Sequence, residues 1–91
     1  MDFKEEQGQI VTEVDGKVVG SIKFRDQGDQ VLEAYSTFVD DSQRGQGLAR
    51  QLVDQLVAKA EKEGKKIKPS CSYVESLFQK EKETYGHIEA K

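Results

Sequence analysis

Along the first forty or so positions the apolar residues alternate with polar ones, and beyond them the spacing changes to that of a helix. Gln9 to Val14 reads as a short strand and Lys17 to Arg25 as its partner, joined by Asp15-Gly16. Asp-Gly is a two-residue hairpin signal, because the turn that matches the strand twist needs positive φ. Alternation places Val18, Ile22 and Phe24 on one face, with Gly20 between them, and Lys23 and Arg25 on the other. Asp26-Gln27-Gly28-Asp29 is a second turn cluster. Gln30 to Val39 then reads as a third strand, with Leu32, Ala34, Ser36 and Phe38 on one side and Val31, Glu33, Tyr35, Thr37 and Val39 on the other.

Asp40 to Gln46 is a polar loop. Leu48 to Glu63 carries the clearest helical signal: Leu48, Leu52, Val53, Leu56, Val57 and Ala60 form one apolar stripe. Gly64 follows Lys62 where a helix-terminating glycine belongs. Lys66 to Tyr73 reads as a fourth strand and Val74 to Lys82 as a short helix carrying Val74, Leu77 and Phe78. The segment after Glu83 has no clear pattern. Two strands joined through a helix form a parallel pair with a right-handed crossover. The expectation is therefore an α+β domain of two or three layers. Its mixed sheet is an antiparallel meander plus a parallel strand pair flanking a central helix.

Composition limits the function classes. A chain of 91 residues suits one domain with a modest core. The formal charge of −3 gives no electrostatic footprint for nucleic acid. No apolar run approaches the roughly 20 residues of a membrane span, and residues 1–10 lack the apolar core of a signal peptide. One cysteine, Cys71, rules out an internal disulfide and fits a reducing cytoplasm. The expected setting is cytoplasmic, with no nucleic-acid or membrane partner, as a monomer or homodimer. His87 is the single histidine and lies among no metal-ligand spacing, so no metal is expected.

The chemistry is concentrated in Arg44-Gly45-Gln46-Gly47-Leu48-Ala49, between the third strand and the long helix. Glycines there let the backbone approach a ligand. The first amides of the helix have no internal partner and sit at the positive end of its dipole, so the turn can hold an anion. Arg44 can add a charge-assisted contact. The competing reading is a tight strand-to-helix turn that binds nothing.

This hexapeptide, after a strand ending in Val39, matches the pyrophosphate motif Arg/Gln-x-x-Gly-x-Gly/Ala, and the chain from about Lys17 to about Lys80 resembles the GNAT N-acetyltransferase superfamily. It looks closest to the very short, cysteine-carrying GNAT-like proteins of the YjdJ type, with Pro69-Ser70-Cys71-Ser72-Tyr73 as the cysteine segment. The resemblance implies one GNAT-like domain over residues 1–91 that binds acetyl-CoA or CoA. The amides of Arg44, Gly45, Gln46, Gly47, Leu48 and Ala49 would surround the pyrophosphate. Phe38, Val39, Cys71 and Phe78 would line the coenzyme arm where two parallel strands splay. It also implies an N-acetyltransferase with an unidentified amine acceptor, protein or small molecule.

The resemblance has gaps at the catalytic positions. Larger members place a tyrosine in Asn-x-x-Ala-x-x-Leu/Phe-Tyr after the last strand of the coenzyme site; here Cys71, Val74, Leu77 and Phe78 occupy the pattern, and Phe78 has no hydroxyl. Short relatives tend to carry His-Thr before the phosphate loop, where this chain has Ser36-Thr37. Cys71 is the remaining candidate nucleophile. It could accept the acetyl group, pair with coenzyme A as a mixed disulfide, make a polar contact, or be a small buried core residue. Glu33, Tyr35 and a folded-back Tyr85 are weaker candidates for proton transfer. Three functions stay open: an N-acetyltransferase, a non-catalytic acyl-CoA-binding or sensor module, and an interaction domain whose glycine turn is architecture alone.

Overall fold

In a computed structural model, which describes residues 1–90, the chain forms a five-stranded sheet in the order β1-β2-β3-β4-β5. The strands are β1 (Lys4–Glu6), β2 (Gln9–Val14), β3 (Lys17–Gly28), β4 (Val31–Val39) and β5 (Lys66–Pro69). Three helices follow the meander: α1 (Leu48–Glu63), α2 (Ser72–Lys80) and α3 (Lys82–Tyr85). The first four strands pair antiparallel; β4 and β5 pair parallel, in register from Val31↔Lys66 to Ala34↔Pro69. The expected mixed sheet around a central helix is thus present, extended at its outer edge by β1.

The hairpins form where turn chemistry allows. Asp15 and Gly16 both take positive φ, 52° and 79°, as the two-residue turn requires. Asp29 and Gln30 do the same at the next hairpin, with φ of 54° and 61°. All six residues of the apolar stripe on α1 are buried. Gly64 ends the helix at φ 70°, and Lys65 N–H donates back to Ala60 O at 2.8 Å.

α1 lies across β2, β3, β4 and β5. Gly20 marks the closest approach: a Cβ there would sit 2.9 Å from Leu48 Cδ2 and 3.2 Å from Leu52 Cδ1. α2, α3 and the C-terminal segment sit beside α1 on the same side, tied to it by Arg50–Glu81, Asp54–Tyr85 and Glu61–His87 contacts. The result is two layers. The other sheet face is open, and Val18, Tyr35 and Phe38 on it are 38%, 39% and 45% exposed.

The ladders shift register at three places, and at two of these β-bulges the expected faces change. In the β2–β3 ladder Thr12 pairs with Gly20 but Glu13 with Val18, so Val19 is the extra residue. Val19 is buried and Val18 is not, the reverse of the expected face. In the β3–β4 ladder Phe24 pairs with Ala34 but Lys23 with Ser36, so Tyr35 is the extra residue. Leu32 and Ala34 keep the helix face, while Thr37 and Val39, not Ser36 and Phe38, continue it. A second correction concerns the end of β5. The expected strand to Tyr73 stops at Pro69, Cys71 becomes the N-cap of α2, and that helix runs Ser72–Lys80 rather than Val74–Lys82. The patternless C-terminal segment folds back as α3 and then pairs with β5: Ile67 N–H donates to Ile88 O, and Ala90 N–H to Ile67 O, both at 2.7 Å.

Candidate functional site

The turn before α1 is built as an open cradle. After a 3-10 turn over Asp41–Gln43, capped by the Asp40 carboxylate, the chain reaches Arg44 and then Gly45 and Gly47 at φ 81° and 73°. Side-chain-bearing residues rarely adopt this conformation. Nothing lies within 4 Å of where a Cβ would stand on either glycine. Gly47 is the N-cap of α1 and supplies no capping side chain, so the first amides of the helix are left for a ligand or solvent. Arg44 is exposed and pairs with Asp41 at 2.9 Å, within reach of the same turn. Leu48 is buried and anchors the cradle to the core. The residues present fit a diphosphate in chemistry and in open space.

The second part of the site lies where β4 and β5 part. Their pairing ends at Ala34↔Pro69, followed by one more bond from Ser70 N–H to Ala34 O at 2.9 Å. Pro69 has no N–H to continue the ladder, and the chain turns into α2. β4 runs on to Val39, paired with β3 on one side only. Across the opening, Thr37 Oγ1 and Cys71 Sγ are 3.4 Å apart.

Burial pushes the Cys71 thiol up. The Thr37 hydroxyl and the amides of Val74, Tyr73 and Thr37 oppose that and hold it below its ordinary value. The sulfur makes no side-chain capping hydrogen bond to α2, and among the described residues its one hydrogen-bond partner is Thr37 Oγ1. Burial raises the Tyr73 hydroxyl above its ordinary value.

Glu33 is committed elsewhere. It accepts from Ser70 Oγ at 2.6 Å and Gln27 Nε2 at 2.8 Å, and pairs with Arg25 at 3.4 Å. The Ser70 bond, above the others, holds its carboxyl below the usual glutamate range, the wrong direction for a general base near neutral pH. Its bond to Ser70 instead clamps the residue before Cys71 onto β4. Tyr35 lies on the open sheet face with the Arg25 guanidinium 4.0 Å from its ring centre. Ser36 shares that side, facing away from the thiol.

Tyr85 is buried, stacked on Phe78 with ring centres 5.1 Å apart, and donates to Asp54 Oδ1 at 2.5 Å. Burial, then Asp54, push its hydroxyl up to about 12. Phe78 is fully buried, so its ring belongs to the core and not to a coenzyme-lining surface. Phe38 points to the open face, and Val39 packs against the core. Gln46 and Ala49 lie on either side of Gly47, in the cradle itself.

Among the described residues no group of His, Cys, Asp and Glu could hold a metal ion, and His87 pairs with Glu61 at the surface. No helix is long and apolar enough to cross a membrane. Three surface hollows of about 370, 260 and 240 Å³ are lined by neither Cys71, Thr37 nor the glycine turn.

Thr37, Ser70 and the Tyr73 and Val74 amides are site residues that alternation alone does not reveal. Thr37 is turned away from Cys71 until the bulge at Tyr35 is known. A cysteine placed within a strand, rather than at a helix start, gives no reason to expect amides around it.

A family profile for GCN5-related N-acetyl-transferases matches residues 9–88. No curated protein matches the sequence. Among solved structures, a GCN5-like protein from Staphylococcus aureus superposes with a TM-score of 0.80 at 22% identity, covering 98% of this chain and 87% of its own. A ribosomal-protein-alanine N-acetyltransferase from Brucella melitensis gives a TM-score of 0.62 at 24% identity, over 91% of this chain and 62% of its own. Rv2747 from Mycobacterium tuberculosis, solved in complex with CoA, gives 0.54 at 29% identity, over 62% of this chain and 36% of its own. The chain thus spans less than two thirds of these two longer proteins. The likeness to the first two is one of fold.

Proposed function

We propose, for a chain that belongs to the GCN5-related N-acetyltransferase family, that it binds acetyl-CoA and transfers the acetyl group to an amine. The observation that carries this reading is the pairing of an open, doubly left-handed glycine turn with a thiol at the gap between β4 and β5. In this reading residues 1–91 act as one coenzyme-binding domain. The amides from Arg44 to Ala49 hold the diphosphate, and the free edge of β4 at Phe38 and Val39 takes the coenzyme arm as an added strand would. The CoA complex of Rv2747 is in keeping with this assignment.

The coenzyme supplies an acetyl group activated as a thioester. Cys71 is the candidate nucleophile toward it. Its proton leaves to solvent, an S–C bond forms as the thioester C–S bond breaks, and the coenzyme departs as a thiolate. An amine then displaces the Cys71 thiolate, forming the amide N–C bond and giving its proton to solvent. Glu33 and Tyr85 are assigned supporting roles in place of proton transfer, because both are held in bonds that fix their protonation. The open sheet side leaves room for an acceptor on a peptide or protein.

A second reading, a non-catalytic acyl-CoA-binding module, is favoured by one feature: Phe78, at the family's tyrosine position, has no hydroxyl and lies in the core. Calorimetry with acetyl-CoA, on the reduced protein and on Gly47→Glu, tests the shared premise. Saturable binding lost in the variant is expected; absence of binding to the parent protein would overturn both readings. Acetylated product from an amine panel, lost in Cys71→Ala, selects the enzyme. Binding with no product over the panel selects the module.

A further inference from the structure

We infer that Thr37 is a positioning residue for Cys71, holding the sulfur in place and favouring its ionised form through the side-chain hydroxyl. The inference rests on the reading of Cys71 as the reactive group, and it gives a role to Thr37, which matches the threonine of the short relatives' His-Thr pattern.

Three observations place Thr37 in that role. The bulge at Tyr35 inserts one residue into β4, so that Thr37, rather than Ser36, follows Ala34 on the helix-bearing face. β4 and β5 stop pairing just before this point, so nothing of β5 stands between Thr37 and the start of α2. The hydroxyl then lies 3.4 Å from Cys71 Sγ, bridging residues 34 positions apart. A threonine side chain is branched at Cβ and stiff at χ1, so its oxygen is held where the backbone puts it.

Three charged groups of the surrounding elements are occupied elsewhere. On β4, Glu33 is bound by Ser70 and Gln27. On α1, Arg50 is held by Glu81 and Asp54 by Tyr85. Lys68 on β5 and Tyr73 and Glu75 on α2 are exposed. Among the described residues no hydrogen bond or ion pair joins a basic side chain to the sulfur. The thiol's polar surroundings are then the Thr37 hydroxyl and backbone amides, and of these only the hydroxyl is removed by a side-chain substitution. Threonine to valine exchanges that hydroxyl for a methyl of similar size.

The test is the pH dependence of iodoacetamide alkylation of the native protein, which reports on Cys71 alone because the chain has a single cysteine. In Thr37→Val the midpoint should move up by about half to one pH unit, the equivalent of one hydrogen bond, and the rate at neutral pH should fall about three- to tenfold. Thr37→Ser should restore the parent profile. Thr37→Ala serves if valine disturbs folding, with the urea midpoint of each variant as the check. Identical profiles for the parent protein and the folded valine or alanine variant would overturn the inference. The result is independent of coenzyme: a shifted profile in a protein that does not bind acetyl-CoA would uphold Thr37 while removing the coenzyme reading.

Discussion

Tyr85 Oη and Asp54 Oδ1 are 2.5 Å apart, a bond from the C-terminal segment to the outward side of α1 that sits over the buried Phe78 ring. It closes a small network, since Arg50, one turn earlier on α1, grips Glu81 with both terminal guanidinium nitrogens, Nη1 and Nη2, at 2.6 and 2.8 Å and lies 5.7 Å from the Tyr85 ring centre. The start of α1, beside the glycine turn, is thereby fixed to the far end of α2, whose N-cap is Cys71.

Tyr85→Phe keeps the stack on Phe78 but leaves Asp54 without its donor. The expected cost is about 1.5 to 3 kcal/mol, the range for hydrogen bonds to charged groups, read as a lower urea midpoint. Tyrosinate absorbance gives a second readout. The hydroxyl titrates at about 12 rather than 10.0, and a raised acid keeps its stabilising contribution below the ordinary value, losing it as pH climbs through the raised one. A late-titrating tyrosine should appear in the parent protein and be missing from the variant.

Gly20→Ala should destabilise the protein by about 1 to 3 kcal/mol, the usual range for overpacking. The new methyl meets Leu48 Cδ2 at 2.9 Å, Leu52 Cδ1 at 3.2 Å and Thr12 Cγ2 at 3.3 Å. Because Leu48 opens α1 beside the cradle, coenzyme affinity should weaken along with the thermal midpoint, and calorimetry on the variant checks both.

Glu33, Asp26, Asp40 and Glu63 all have carboxyls held below their ordinary values by hydrogen-bonding partners, chiefly Ser70, Lys65, Ser42 and Lys59 respectively. A lowered acid stabilises the fold above its ordinary value and loses that contribution as pH falls through the lowered one. The thermal midpoint should therefore hold steady from neutral pH down to about 5 and fall below it. Glu33→Gln should flatten part of that acid limb while the protein remains folded, and an unchanged limb would count against the Ser70 clamp.

Ile88→Ala tests the returning C-terminal segment. The side chain is buried in the core, and its carbonyl accepts from Ile67 N–H at 2.7 Å. Truncating a buried isoleucine costs about 2 to 5 kcal/mol, and hydrogen exchange at Ile67 should quicken more than at Ile22 in the middle of the sheet.

The long helix was legible to the residue, because six apolar side chains at helical spacing and a terminal glycine signal the same element independently. The hairpin at Asp15-Gly16 and the parallel crossover were equally plain. The glycine turn carries a motif that is local in sequence, so that half of the candidate site is visible there directly. The thiol half is not. Its geometry depends on one extra residue at Tyr35 and on β5 stopping at Pro69, and both are decided by pairing between strands distant in the chain. Alternation presumes an unbroken ladder, so it assigned Thr37 to the wrong face. The C-terminal pairing escaped notice for a related reason: Ile88 and Ala90 contribute backbone bonds, which leave no side-chain pattern to detect.

The strand order across the sheet repeats the order along the chain, and this has a consequence for how the molecule assembles. Each of the first four strands finds its partner next door in sequence, so the meander closes only short loops and can zip up early. The crossover through α1 to β5 makes the longest-range pairing among the five strands. Thr37 and Cys71 meet only across that pairing, so a chain caught before it forms has its glycine turn but no partner for its thiol.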